Sequence, residues 1–143
     1  MPDRVTIAPQ LLGGVVETIP FADRLSLIPD IFGQLDTAIA QAGFFYVGPQ
    51  TALYRVAGDQ MEVRVGVALD RALPGFEMFE APGSDALLHT HRGGFDQLPQ
   101  IYQTLDAPVT EQGLQRKTWA REVYRQVARD ATLNVIDIYM DVL

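Results

Sequence analysis

From Leu25 to Ala42 the apolar residues Leu25, Ile28, Ile31, Phe32, Leu35, Ala38, Ile39 and Ala42 recur at spacings of three and four, and Gly43 follows them. That period marks one face of an α-helix, and the glycine is its stop. Before it, Leu11 to Thr18 is a short apolar-rich run closed by Pro20, which reads as a strand. After it, Leu53 to Val56, the turn Ala57-Gly58-Asp59-Gln60, and the alternation of Met61, Val63, Val65, Val67 and Leu69 predict a hairpin. Phe76 to Ala81 is a further strand between the breaks Pro74-Gly75 and Pro82-Gly83. The pattern then starts again. Ala86 to His91 is strand-like, Phe95, Leu98, Ile101, Tyr102 and Leu105 have helical spacing with a stop at Gly113, and Thr118 to Val127 and Leu133 to Val142 predict two more strands.

Both halves therefore read strand, helix, strand, strand. Shifting the sequence against itself by 70 residues pairs Pro29 with Pro99, Ile31 with Ile101, Leu35 with Leu105, Gly43 with Gly113, Tyr54 with Tyr124, Arg55 with Arg125 and Val65 with Val135. Ile28 meets Leu98 and Phe32 meets Tyr102 in the same register. Matches on both helix faces and at both helix stops imply a duplicated unit. The expected fold is α+β: two β-α-β-β units with pseudo-twofold symmetry, repeat halves of about 1–73 and 74–143 in one stand-alone domain. It would be an antiparallel sheet with both helices on one face and a ligand groove between the repeats, on the uncovered face or at the seam.

Composition narrows the possible functions. At 48% hydrophobic and 20% charged, the chain matches a packed globular protein and can form its core without metals or disulfides. A net charge of −7 repels phosphates and argues against direct nucleic-acid binding. There is no cysteine, hence no thiolate nucleophile or Cys-based zinc site, and a cytoplasmic location is expected. Neither a signal peptide nor a membrane-length apolar run is found, and no cofactor motif or phosphate loop occurs. His89-Thr90-His91 would put two imidazoles on one strand face, but two ligands are too few for zinc, so no metal is expected.

Positions where the two copies differ chemically are the better candidates for function. Glu122 stands where the first copy has Ala52. Strand alternation puts Glu122 on one face with Ala120 and Tyr124, and Trp119, Arg121 and Val123 on the other unless a bulge intervenes. Tyr54 would be the symmetric counterpart of Tyr124, and Tyr139 on the last strand would complete an aromatic wall. A carboxylate among aromatic rings suits an organic cation, through Coulomb attraction and the ring quadrupoles. The plainer alternative is a solvated Glu122 paired with Arg121 or Arg125. Met61, Met78 and Met140 fit either a pocket wall or ordinary core.

The second half resembles the GyrI-like (gyrase-inhibitor-like) effector-binding domains, found also as drug-sensing halves of bacterial transcription activators. The resemblance rests on His91-x-Gly93-x-Phe95-x-x-Leu98-x-x-x-Tyr102-x-x-Leu105, on Glu122-x-Tyr124 and on Ile136-Asp137-Ile138-Tyr139. It implies a duplicated β-α-β-β fold whose groove binds hydrophobic, often cationic molecules, with a pocket acid matching Glu122. Asp141 departs from the family, which often has a proline after the last strand, and no tryptophan follows Leu105. The leading expectation is a non-catalytic module binding an apolar or cationic organic molecule through Glu122, Tyr124, Tyr54, Tyr139 and Trp119, as a sensor or regulator. Two alternatives stay open: a hydrolase of a reactive small molecule with Glu122 as general acid or base, and a protein-binding inhibitor.

Overall fold

In the computed structural model residues 3–44 and 48–142 are described, Lys117 and Thr118 by their backbone alone. Among them are eight strands and two α-helices, in the order β1 (Asp3–Ile7), β2 (Gln10–Pro20), α1 (Arg24–Ala42), β3 (Gln50–Ala57), β4 (Gln60–Ala68), β5 (Glu77–Ala81), β6 (Ser84–Arg92), α2 (Leu98–Glu111), β7 (Arg116–Gln126) and β8 (Val135–Val142). The fold class is α+β, as the two periodicities predict. Gly43 and Gly113 follow the helices with φ of 76° and 67°, left-handed values that a glycine adopts without strain. A one-turn 3₁₀ helix leads into each α-helix, Phe21–Asp23 before α1 and Phe95–Gln97 before α2.

Two compact units form. One is residues 9–82, with antiparallel strands in the order β5-β2-β4-β3 and with α1. The other holds β1 and the chain from Gly83 onward, with antiparallel strands in the order β1-β6-β8-β7 and with α2. Each unit contains the expected strand-helix-strand-strand run and one further edge strand. That edge strand comes from the other end of the duplication: β1, which precedes β2 in the chain, pairs with β6, and β5, which precedes β6, pairs with β2.

The repeat is offset differently along its length. Tyr54 faces Val63 while Tyr124 faces Ile136, so Val63 corresponds to Ile136 and Val65 to Ile138, 73 residues apart. The Val65–Val135 identity is therefore not a structural equivalence. The second copy accommodates extra residues in the turn Ala131–Leu133 and in a bulge between Tyr124 and Gln126.

Within the second unit Leu87, Leu105, Val109, Ile136, Ile138, Met140 and Val142 form one buried cluster, with Leu98, Ile101, Tyr102 and Tyr124 packed against it. Alternation dictates the membership. Leu87, Met140 and Ala120 are cross-strand partners, as are His89, Ile138 and Glu122, and as are His91, Ile136 and Tyr124. This is the face that α2 covers. Met61 and Met140 are both core residues.

Candidate functional site

The ladder places Glu122 directly across from Ile138, in phase with the core rather than with solvent. Of the two places the sequence offers for a groove, the sheet face bare of helices and the seam between the repeats, the first is not where Glu122 lies. Glu122 shares its face with the residues that α2 buries, because its parity along β7 is that of Ala120 and Tyr124, whose partners Met140 and Ile136 are fully buried.

The carboxylate is only 5% exposed. Both of its oxygens accept hydrogen bonds from tyrosines: the Tyr124 hydroxyl donates to Oε1 at 2.6 Å, and the Tyr102 hydroxyl donates to Oε2 at 2.5 Å. Tyr124 lies two residues away on the same strand, so the pair shares a face. Tyr102 reaches the acid from α2. Burial pushes the Glu122 carboxyl above the ordinary carboxylate range, while the two tyrosine hydrogen bonds pull it back without cancelling the rise. The ring of Phe95 lies 6.0 Å from that of Tyr124, tilted by 56°, and is 45% exposed. The arrangement is an oriented carboxylate in an apolar setting, able to neutralise a cation or to exchange a proton.

Arg121 and Arg125, the plainer partners for Glu122, are engaged on the other face. Arg121 bridges Asp141 at 3.2 Å with both side chains buried, and Arg125 bridges Asp137 at 2.8 Å, while Thr90 donates to Asp137 at 2.7 Å. Tyr139 belongs to that face too, directly across from Arg121, so the structure does not bring it to Glu122. Burial first, then the charge of Asp137, raises the Tyr139 hydroxyl pKa. Trp119 is half-buried at a bulge between Arg116 and Ala120, where simple alternation ceases to set the face. Tyr54 sits on β3 in the other unit, half-buried and across from Val63.

His89 and His91 do share a face, that of Glu122. His91 Nε2–H donates to the Gly94 carbonyl at 2.9 Å, a local loop contact. His89 is held below the ordinary imidazole range by burial and then by His91. Among the described residues no group of three or more His, Asp or Glu is placed to hold a metal ion, and no helix is long and apolar enough to cross a membrane. A separate concavity of about 500 Å³, lined by Phe44, Ala68, Leu69, Asp70, Arg71 and Leu73, contains none of these residues.

The sequence presents Tyr102 and Phe95 as apolar positions of a helix and as members of the motif that carries the resemblance, without assigning either to the site. For Tyr102 the signal was present: the first copy has Phe32 at the offset of 70, or Ile28 when α1 and α2 are aligned by their starts, and neither carries a hydroxyl. The acid and the hydroxyl that binds it are thus both peculiar to the second copy.

Solved structures share this architecture. The protein SAV2435, determined bound to tetraphenylphosphonium, superposes with a TM-score of 0.77 at 14% identity, over 100% of this chain and 94% of its own. The EcmrR C-terminal domain gives 0.75 at 17% identity, over 100% and 97%. The chain has the GyrI-like fold. A hydrolase from Listeria innocua shares it more distantly, at a TM-score of 0.62 and 8% identity over 99% of this chain and 91% of its own. No protein-family model matches the sequence, and no curated protein matches it.

Proposed function

We propose that the chain is a non-catalytic binding module for an apolar organic cation, with Glu122 as the acid that neutralises the ligand's charge. The observation that carries this reading is the Tyr102–Glu122–Tyr124 cluster: a carboxylate only 5% exposed, held at both oxygens by tyrosines. An ionised carboxylate so placed has lost most of its hydration, and an apolar cation recovers that loss without demanding hydration of its own. That a chain of the same fold was solved with tetraphenylphosphonium bound supports the choice of ligand class. The module would serve as a sensor or regulator, and Trp119 on the same strand as Glu122 belongs to the same proposal.

Tetraphenylphosphonium is expected to raise Tm progressively with its concentration, the stabilisation growing as RT ln(1 + [L]/Kd), and Glu122→Gln is expected to abolish the shift. An unchanged shift in the variant would remove Glu122 from the site. A hydrolase is the second reading, favoured by the raised pKa of Glu122, which suits a general acid. In that case Glu122→Gln would still bind the compound, and the wild type alone would consume it.

A further inference from the structure

The duplication supplies an internal comparison at the entrance to each helix. In the first copy Phe21 opens the 3₁₀ turn before α1, and Arg24, the first residue of α1, lays its guanidinium over the Phe21 ring with the carbon 3.9 Å from the centroid. The same arginine donates to the Phe21 carbonyl at 2.9 Å, which fixes the cation there. In the second copy Phe95 opens the 3₁₀ turn before α2, and the first residue of α2 is Leu98.

The two rings are equivalent by ladder register as well as by order along the chain. Val15 of β2 lies two strands from Ala52, and His89 of β6 lies two strands from Glu122, so the strands leading into the turns correspond at an offset of 74, which carries Phe21 onto Phe95 and Arg24 onto Leu98. One copy therefore has an aromatic face covered by its own cation. The other has the same ring, 45% exposed, with a leucine where the cation would be and with the acid Glu122 one tyrosine away.

We infer that Phe95 is a ligand-binding residue, an aromatic platform that takes the organic cation in the place that Arg24 fills over Phe21. This rests on the binding reading above and adds the surface that selects a cation over a neutral molecule of like shape. Glu122 supplies net charge from a buried position, while the ring gives a directional attraction that a neutral ligand lacks. The ligand class is a lipophilic cation carrying aromatic or alkyl substituents, since Tyr124 and Phe95 offer it ring faces and edges rather than hydrogen-bond acceptors.

The test uses the full chain, with titration calorimetry of tetraphenylphosphonium and of neutral triphenylphosphine oxide. Phe95→Leu keeps the apolar bulk and removes the quadrupole, and because the ring is half-exposed the variant is expected to fold. Its affinity for the phosphonium should fall by about tenfold, within the range of a partly desolvated cation–π contact, while the neutral compound binds within twofold of wild type. Phe95→Trp should keep or tighten the phosphonium. Leu98→Arg should recreate the Phe21–Arg24 arrangement and compete with the ligand, again weakening the phosphonium alone. If Phe95→Leu binds the phosphonium as wild type does while Glu122→Gln has lost it, the platform is overturned and the Glu122 site stands. If wild type binds no phosphonium at all, the binding reading fails and this inference fails with it.

Discussion

Glu122 is kept neutral more easily than charged, and the sign of that preference makes a prediction. Its pKa is raised on folding, so the stability it contributes is full below its unfolded value and is lost as pH rises through the folded value. In the unliganded protein Glu122→Gln is therefore expected to be more stable than wild type above that range, seen as a higher Tm, with the difference vanishing at acid pH where Glu122 is protonated in both states. Calorimetric scans of both proteins across that pH range measure it, and a constant difference at every pH would place the cause elsewhere. Binding a cation must reverse the preference, so affinity should rise with pH across the same interval, with a proton released on binding. Glu122 was legible because its counterpart is Ala52. Tyr102 carries the same kind of signal, a hydroxyl that the first copy lacks, but a tyrosine on the apolar face of a helix fits packing as well as hydrogen bonding, and only the position of Glu122 Oε2 decides between them.

The elements were easier to read than their registers. Both helices followed from the three-and-four spacing, and their glycine stops mark where the chain leaves α1 and α2. β1 was missed, because five residues with only Val5 and Ile7 apolar make a weak alternation that gains its ladder from a strand some eighty residues away. The common offset of 70 failed at β8 because bulges and short turns change the count without disturbing the apolar pattern. Close strand contact leaves its own mark in glycine. Gly14 of β2 lies across from Gly66 of β4, and a Cβ added at Gly14 would stand 1.9 Å from the Val65 carbonyl oxygen. Gly14→Ala is thus expected to force β2 away from β4 and to cost at least about 2–3 kcal/mol, read from the midpoint of urea unfolding. An unchanged midpoint would mean that the strands part without strain.

For the molecule as a whole, the duplication was visible in the sequence but its partition was not, because strand pairing between distant segments leaves no local periodicity. A division near residues 73 and 74 keeps each half contiguous, whereas the compact units exchange their first strands. Deleting residues 3–8 should consequently weaken the far unit rather than the near one. Hydrogen exchange is expected to show lost protection along β6, with β2 to β4 little changed, and the opposite pattern would contradict the pairing. The exchange also orders events in time. As the chain leaves the ribosome, residues 9–82 hold every strand of their own unit and can close as soon as β5 emerges. β1, made before its partner, must wait until β6 has followed, which at ordinary elongation rates is roughly 4–16 seconds. For that interval Asp3–Ile7 is an unpaired strand, and a nascent chain nearby carries the same one, so this segment is exposed to pairing with a neighbour on the same message.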